Sequence, residues 1–229
     1  MSEKKQNVIT IDGPSGVGKS TVSKKVAAAL GFTYLDTGAM YRAVGLYFKR
    51  FSVEIDNEKD ISAALKTLDL QLIPAKDEKS EVGVLINGQK VTDLLRTPEV
   101  AMIASRVSAV PLVRDVLTKT QRKLGEKGGV VAEGRDTGTV VFPRAAYKFF
   151  LDANPEIRAK RRFEQLAKRG LTTTTLSEIL ALTLERDQND RNRPIAPLKK
   201  ASDAVCIDTT EIGLEEVVSI ILGTITNKT

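Results

Sequence analysis

The feature that most constrains this sequence is a glycine-rich run near its start. Residues Gly13–Ser20 read GPSGVGKS and fill every position of the pattern G-x-x-x-x-G-K-[ST]. The apolar run Val8–Asp12 before it suits a buried strand, and the helical spacing of Thr21–Leu30 after it ends at Gly31. Strand, glycine-rich loop and helix in this order predict a phosphate-binding loop in an α/β fold. A turn that merely links strand and helix is disfavoured, because all fixed positions are filled and both flanks fit.

The residues of this loop each have a role in holding a triphosphate. Glycines let several backbone N–H groups point at one anion, and the following helix adds the positive end of its dipole. Lys19 supplies a cation to the β- and γ-phosphates, and Ser20 offers a hydroxyl to Mg²⁺. The loop therefore predicts a bound nucleoside triphosphate. It leaves the reaction open, since GTPases, motor ATPases, helicases and small-molecule kinases all share it.

Composition limits the chemistry that can accompany the loop. The 229 residues include no histidine and a single cysteine, Cys206, which excludes Ser-His-Asp catalysis, histidine-bound zinc and an internal disulfide. The formal charge of +6 fits either a solvated basic surface or a phosphate-bearing partner. No apolar run is long enough to cross a membrane, and residues 1–7 are too polar for a secretory signal. We therefore expect a cytoplasmic protein without a membrane partner.

Strands alternate with helices along most of the chain, which predicts an α/β fold around a central parallel sheet. Residues 56–93 differ in character. There, Asn87-Gly88 lies between the short runs Val82–Ile86 and Gln89–Thr92 and is a strong signal for a two-residue hairpin. We therefore expect one domain over residues 1–229 that carries an inserted subdomain with a small antiparallel sheet.

A second place for an anion follows the next apolar segment. Thr37, Tyr41 and Arg42 bring a hydroxyl, a phenol and a guanidinium to the start of a predicted helix. They would line one wall of a cleft, or else belong to a capped helix with an exposed arginine and a packed tyrosine. The spacing alone fits both interpretations.

A third place follows the apolar run Val130–Ala132. Arg135 and Asp136 stand where that strand is predicted to end, and ligands of open α/β sheets bind outside the carboxyl ends of the strands. A guanidinium can bind phosphate through paired hydrogen bonds, and a carboxylate can accept one from an amine or a ribose hydroxyl. A charged β-turn is the alternative interpretation.

Arginines are concentrated in two predicted helices near the end of the chain. The first set consists of Arg158, Arg161 and Arg162, and the second of Arg186, Asp190 and Arg193. The spacings i, i+3, i+4 and i, i+4, i+7 place each set on one face of its helix. Such a face points either to open water or into a cleft.

The second of these helices has a predicted apolar stripe. It comprises Leu176, Ile179, Leu180, Thr183 and Leu184. Arg186 follows Leu184 by roughly 200° around a helix axis. The arginine is therefore predicted to point away from the core.

If the chain catalyses phosphoryl transfer, these arginines are expected to point into a cleft and not to open water. Its transition state spreads negative charge over several oxygens, and bringing two phosphate groups together requires several cations. An acceptor that is itself a phosphate is an anionic nucleophile and needs little help from a general base, which suits a chain without histidine. The residues thus favour transfer of the γ-phosphoryl group of ATP to a small phosphorylated acceptor.

Six motifs together resemble the bacterial cytidylate kinases, a family of P-loop nucleoside monophosphate kinases. In chain order they are IDGPSGVGKST at Ile11–Thr21, LDTGAMYR at Leu35–Arg42, EVAMIASRVS at Glu99–Ser108, VAEGRDTGTVVFP at Val131–Pro143, LDANPEIRAKRR at Leu151–Arg162 and ERDQNDRNRPIAPL at Glu185–Leu198. Only the first is generic, and together they cover nearly the whole chain.

The resemblance implies a fold and an activity. It implies a three-layer P-loop kinase fold with an acceptor-binding segment over about 37–105, which includes the 56–93 insertion, and a helical lid over about 154–172. The implied reaction converts CMP or dCMP to its diphosphate with ATP and Mg²⁺, in pyrimidine nucleotide metabolism. The implied enzyme is a monomer that binds neither nucleic acid nor membrane.

The resemblance also implies a role for each matching residue. ATP would be held by Gly13, Pro14, Ser15, Gly16, Val17, Gly18, Lys19, Ser20 and Thr21, with Mg²⁺ at Ser20. CMP would be held by Thr37, Tyr41, Arg42, Ser105, Arg114, Arg135, Asp136, Arg186, Asp190 and Arg193. In this set Ser105 and Asp190 would contact the cytosine, Asp136 and Arg186 the sugar, and Arg193 the phosphate. Catalysis would depend on Lys19, Arg193 and the lid arginines Arg158, Arg161 and Arg162.

Three positions vary from patterns of the family. Thr37 stands where serine is also common, and Glu133 where aspartate is also found. Asn189 stands where the family pattern suggests arginine, so we expect the cationic set to be one member smaller.

Two other functions remain open from the sequence. A kinase of the same chemistry would take UMP; Ser105 and Asp190 are the expected discriminators, since a carboxylate that accepts from the cytosine amino group rejects uracil. A nucleic-acid-binding protein would use the +6 charge on phosphate backbones. It is disfavoured because only 5% of residues are aromatic, which leaves few platforms for base stacking.

Overall fold

The computed structural model describes residues 6–73, 82–168, 170 and 174–227. Residues 74–81 of the predicted insertion and residues 169 and 171–172 of the predicted lid lie outside this part of the chain. The strands are β1 (Gln6–Asp12), β2 (Thr33–Asp36), β3 (Leu70–Ile73), β4 (Gly83–Ile86), β5 (Gln89–Lys90), β6 (Val130–Gly134), β7 (Ala145–Asp152) and β8 (Val205–Asp208). The helices are α1 (Lys19–Leu30), α2 (Thr37–Arg50), α3 (Glu58–Thr67), α4 (Pro98–Val107), α5 (Pro111–Gly125), α6 (Pro155–Ala167), α7 (Leu176–Asn192) and α8 (Leu214–Thr226). A 3₁₀ turn covers Thr92–Arg96, and a π-helical turn covers Thr137–Val141. No helix within the described residues combines the length and hydropathy needed to cross a bilayer.

A five-stranded parallel sheet in the order β2-β6-β1-β7-β8 forms the centre of the molecule. Its middle strand is β1, in which Ile9 lies beside Val131 of β6 and Tyr147 of β7. The inner strands are apolar runs because helices cover both faces, as parallel sheets require. The predicted α/β class with a central parallel sheet is confirmed.

Apolar cores on both faces of the sheet complete three layers. Neighbouring residues of a strand point to opposite faces, and Val8 and Ile9 accordingly belong to different cores. The first core includes Phe48 of α2, and the second includes Ile221 of α8. The sheet is therefore held from both sides, which fixes the positions of its strand ends.

The predicted insertion contains the antiparallel sheet β3-β4-β5. Asn87 (φ 49°) and Gly88 (φ 78°) both adopt left-handed backbone conformations, as a two-residue hairpin turn requires. Val84 and Ile86 are buried in the same core as Phe48 of α2. The small sheet thus shares its apolar core with the main fold, and the predicted hairpin is confirmed.

The predicted apolar stripe of α7 is wrong at both ends. The side chains of Leu176 and Leu184 are 45% and 49% exposed, whereas Ile179 is buried against α6. The inner face of α7 runs from Ile179 to Arg186 and Asp190, because residues seven and eleven positions apart lie close together around the helix axis. Arg186 therefore does not point away from the inner face, and the error arose because that face changes from apolar to charged where it lines a cleft.

Gly125 at the end of α5 offers a test of how tightly the first core is packed. A Cβ added there would overlap the ring of the buried residue Phe142, whereas a Cβ at Gly223 of α8 meets no atom within 4 Å. We expect Gly125→Ala to lower the free energy of unfolding by about 1–3 kcal/mol through overpacking. The matched control, Gly223→Ala, should raise it by about 0.4–1 kcal/mol. Urea unfolding of both variants checks this, and equal effects would contradict the described packing.

Candidate active site

The carboxyl ends of three strands meet at one edge of the parallel sheet. Asp12 at the end of β1 lies beside Gly134 of β6, and Asp36 at the end of β2 lies beside Glu133. From these ends the chain enters the phosphate-binding loop, α2 and the Arg135 turn. The three segments that the sequence singled out therefore lie together, where ligands of open α/β sheets bind.

The phosphate-binding loop has the backbone that its glycines predict. Gly13, Gly16 and Gly18 have φ values of 147°, 84° and 91°. A Cβ at Gly13 would overlap the carbonyl oxygen of Leu151, and one at Gly16 would crowd Arg158. The loop therefore needs glycine both for its conformation and for its close fit against neighbouring segments.

Lys19 is buried at the base of this loop. Its Nζ donates a hydrogen bond to the Pro14 carbonyl oxygen at 2.5 Å. Burial, and then the nearby Arg135, hold the pKa of Lys19 well below its usual value, although Glu133 opposes this shift. A bound polyphosphate would supply the negative charge that this environment lacks.

Ser20 and Glu133 together form a place where a metal ion fits. The Ser20 hydroxyl donates to Glu133 Oε1 at 2.7 Å, and Glu133 Oε2 is buried without a hydrogen-bond partner. Burial raises the pKa of Glu133, and the neighbouring Asp36 adds to the rise. Hydroxyl and carboxylate oxygens suit Mg²⁺, which takes few protein ligands and completes its shell with phosphates and water. The described residues contain no group of three or more acidic, histidine or cysteine side chains that would hold a metal unaided.

The first turns of α2 form one wall of the site. Asp36 caps the helix by accepting from the Ala39 N–H at 2.8 Å and pairs with Arg42 at 2.9 Å. Thr37 donates to the Glu133 carbonyl oxygen at 2.6 Å. Burial raises the pKa of Tyr41 to about 12, so its phenol stays protonated. The helix begins at Thr37, because Asp36 supplies the cap.

Two arginines converge on the carboxylate of Asp136. Arg114 pairs with one of its oxygens, and Arg193 pairs with the other at 3.2 Å. Ser108 joins both arginines, since its hydroxyl accepts from Arg193 at 3.1 Å and its carbonyl oxygen accepts from Arg114 at 3.1 Å. Burial raises the pKa of Asp136 in spite of these cations. The guanidinium groups are thus held in fixed orientations.

A second pair of arginines, Arg135 and Arg186, lies beside Arg114 and Arg193. Arg135 pairs with Asp190 at 2.8 Å. Burial alone would lower the pKa of Arg135, but Asp190 outweighs it and raises that pKa. Burial and the neighbouring Arg135 lower the pKa of Arg186 to about 10, and the Nε of Arg186 is buried without a partner. Arg186 is therefore the guanidinium with the least compensation in this pair of cations.

All these elements surround one cleft of about 580 Å³. From the predicted ATP set it is lined by Ser15, Gly16, Gly18, Lys19, Ser20 and Thr21. From the predicted CMP set it is lined by Thr37, Tyr41, Arg42, Ser105, Arg135, Asp136, Arg186, Asp190 and Arg193. Gly13, Pro14, Val17 and Arg114 lie behind this lining. The interpretation of Thr37, Tyr41 and Arg42 as a cleft wall, and not as an exposed capped helix, agrees with this geometry.

The lid arginines do not share one environment. Arg161 and Arg162 line the cleft, and Arg161 also donates to the carbonyl oxygen of Thr209 at 2.5 Å. Arg158 is only 2% exposed and pairs with Asp187 at 2.6 Å. The structure therefore places Arg158 behind the cleft wall. Although this residue was predicted to be catalytic, it does not line the cleft.

Four residues that support the site were not among the predicted ones. Asp12 accepts from Thr137 and Gly138 and holds the Asp136 turn against β1. The others are Asp36, Ser108 and Asp187. Asp36 carried a readable signal, because an aspartate directly before a helical pattern indicates an N-cap. The other three act through contacts between distant segments, for which the sequence gives no local signal.

Comparisons with known proteins agree with the fold. A shikimate kinase from Bacteroides thetaiotaomicron superimposes with a TM-score of 0.50 over 96% of this chain and 98% of its own, at 12% identity. The chain therefore has the P-loop kinase fold.

The family follows from sequence comparison. The family model described as cytidylate kinase matches residues 9–227. A cytidylate kinase from Carboxydothermus hydrogenoformans is 46% identical over 96% of this chain and 97% of the relative, and one from Pasteurella multocida is 47% identical over 93% and 92%. The chain belongs to the cytidylate kinase family.

Ser108 offers a test of the arginine cluster. Ser108→Ala leaves a buried Arg193 N–H without its acceptor, so we expect the free energy of unfolding to fall by about 1–3 kcal/mol. Ser23 of α1 is a matched control, because its hydroxyl is buried and has no partner. Ser23→Ala should be nearly neutral. Urea unfolding compares the two, and equal losses would mean that the Ser108 hydroxyl does not hold Arg193.

Proposed function

We propose that this chain transfers the γ-phosphoryl group of ATP to CMP or dCMP, which forms ADP and CDP or dCDP. The observation that carries this proposal is one cleft with a phosphate-binding loop on one side and a cluster of buried and half-buried arginines on the other, in a member of the cytidylate kinase family. Two cationic walls suit a reaction that brings two phosphate groups into line. Transfer then depends mainly on positioning and on neutralising charge.

The donor side would hold ATP on the backbone of Gly13–Ser20. Lys19 would balance charge on the β- and γ-phosphates, and it is already fixed at the base of the loop. Ser20 would hold Mg²⁺, and Glu133, one oxygen of which has no partner, would be a second ligand, direct or through water. When bound, Mg²⁺ would neutralise part of the negative charge on the phosphate oxygens.

The acceptor side would hold the monophosphate on guanidinium groups. Arg193 and Arg42 line the cleft opposite the loop and would bind the acceptor phosphate, while Asp136 would accept from the sugar hydroxyls. Arg186 would add charge near the sugar. Because the acceptor is already an anion, no general base is required, and the chain has no histidine that could act as one.

Asp190 is the residue proposed to select cytosine. Burial alone would raise its pKa, but Arg135 and Arg186 outweigh burial and lower it, so the carboxylate stays ionised. An ionised carboxylate can accept from the cytosine amino group and finds no donor at the same place on uracil. Ser105 lines the cleft beside it and would contact the base as well.

Closure of two segments is proposed to complete the site. The described residues that line the cleft include Thr97 and Ser105 of the predicted acceptor-binding segment (about 37–105), and Arg161 and Arg162 of the predicted lid (about 154–172). Closure would exclude water that otherwise hydrolyses ATP. We further propose that the enzyme acts as a cytoplasmic monomer. A nucleic-acid surface is not favoured, because Arg114 and Arg193 are buried behind or within the cleft.

The test of this function is an ADP-release assay over a panel of nucleoside monophosphates with Mg²⁺ and ATP. We expect turnover with CMP and dCMP, and a kcat/KM at least about 10²-fold lower with UMP, because a site built to pair with an amino group penalises its loss. Product identity is checked by chromatography. Absence of CDP formation would overturn the proposal, and preferred turnover of UMP would reassign the acceptor. Tight binding of single-stranded RNA at physiological salt without CMP-dependent ADP release would favour the nucleic-acid alternative.

Two substitutions should separate the donor and acceptor sides. Lys19→Ala should lower kcat by about 10²-fold or more with either acceptor, since the transferred group loses a preorganised cation. Arg193→Ala should raise the KM for CMP by about 10- to 100-fold, which corresponds to the loss of hydrogen bonds to a charged group. It should leave ATP binding largely unchanged. Steady-state kinetics and calorimetric titration with ATP measure both. A normal KM for CMP in Arg193→Ala, in a folded protein, would contradict the acceptor assignment.

A further inference from the structure

Arg158 is a buried arginine whose hydrogen-bonding groups are directed at protein atoms. Its Nε donates to the Ala153 carbonyl oxygen at 2.9 Å, and its Nη1 donates to the Ser15 carbonyl oxygen at 3.1 Å. Its Nη2 pairs with Asp187 at 2.6 Å. A buried charge is tolerated only when it is paired and hydrogen-bonded. Contact of this guanidinium with a phosphate would require these bonds to break.

The contacts of Arg158 join three parts of the molecule. Ser15 belongs to the phosphate-binding loop, Arg158 to α6 and Asp187 to α7. Gly16 also packs here, since a Cβ added to it would lie 3.0 Å from the Arg158 Cβ. Arg186, the residue before Asp187, donates to the Ser15 hydroxyl at 3.4 Å. The same point of the loop is thus held by both helices.

The direction of the Ser15 carbonyl matters for the donor phosphates. A carbonyl oxygen that turned into the loop would repel a phosphate, whereas backbone N–H groups attract it. While Arg158 engages this oxygen, it cannot turn inward. Asp187 in turn fixes Arg158, and Asp187 is 6% exposed and not part of the cleft lining.

We propose that Arg158 and Asp187 are positioning residues, which hold the Ser15 carbonyl turned away from the donor phosphates and so preorganise the loop for ATP. Arg158 then acts through the loop and not by contact with the transferred group. The inference rests on the proposed function only in that ATP is the donor.

The first test measures ATP affinity by calorimetric titration without acceptor. Arg158→Ala and Asp187→Ala should each raise the Kd for ATP by about tenfold. The Kd of the double variant should not exceed the higher of the two single-variant values, because both substitutions remove the same coupled contact. A lid arginine that contacts only the transition state predicts another result: an unchanged Kd for ATP, a lower kcat and no effect of Asp187. That result would overturn the proposal.

A control variant separates this effect from removal of any ion pair. Asp203 pairs with the buried cation Lys148 at 2.9 Å, on residues that do not line the cleft. Asp203→Asn should leave the Kd for ATP unchanged. A Kd raised as much as in Asp187→Ala would mean that the titration reports general stability, and would count against the proposal.

A second design separates positioning from stability. Apolar residues of similar volume often replace a buried ion pair without loss of stability, so Arg158→Met combined with Asp187→Leu should keep Tm close to that of the parent. The Kd for ATP should still be raised, because the Ser15 carbonyl has lost its donor. A parental Kd together with a parental Tm would show the pair to be structural only.

Should this double variant fail to fold, Asp187→Asn provides a substitute, because it keeps the shape of the side chain and removes its charge. Asp187→Asn should still raise the Kd for ATP, and an unchanged Kd would overturn the proposal.

Failure of this inference is distinguishable from failure of the proposed function. Parent protein that binds ATP but forms no CDP would overturn the function and leave the ATP titrations decisive for Arg158 and Asp187. Parent protein that forms CDP, with variants whose Kd for ATP is unchanged, would overturn this inference alone.

Discussion

The site depends on the packing of several buried cations within one cleft. Burial, and then the nearby Arg135, lower the pKa of both Lys19 and Arg186, which shows that these cations repel one another. Asp190 pairs with Arg135 and offsets part of the excess positive charge. Glu133 and Asp12 offset part of the charge around Lys19, and bound phosphates would offset the remainder. The fold thus holds a positive potential in place before the substrate arrives, and the reaction needs little reorganisation of charge.

Pairing with carboxylates also fixes the geometry of the arginines. A free arginine side chain has about 2 kcal/mol of rotamer entropy to lose. Here Asp136 holds Arg114 and Arg193, and Asp36 holds Arg42, so this cost is met during folding and not during binding. The carboxylates at the sheet edge therefore do more than neutralise charge. They determine where each guanidinium points.

The features that the sequence predicted well are those with a local physical cause. The phosphate-binding loop and the turn at Asn87-Gly88 each depend on backbone needs within a few residues. The contact of Arg158 with the Ser15 carbonyl spans 143 positions, and that of Arg193 with Ser108 spans 85. Such contacts leave no periodicity in the sequence, so the residues of the cleft were predictable from motifs while the residues that orient them were not. The α7 stripe failed for a related reason, since apolar periodicity cannot identify an inner face that is itself charged.

Two carboxylates in this cleft, Asp136 and Asp190, have pKa values that are shifted in opposite directions. Burial raises the pKa of Asp136 in spite of its two arginines, whereas Arg135 outweighs burial and lowers the pKa of Asp190. Asp190 therefore stays a hydrogen-bond acceptor, as the proposed selection of cytosine requires, and each oxygen of Asp136 is paired with a guanidinium group. Neither is free to remove a proton from an acceptor. A phosphate acceptor suits such a site, because it arrives already ionised and needs only to be held in line.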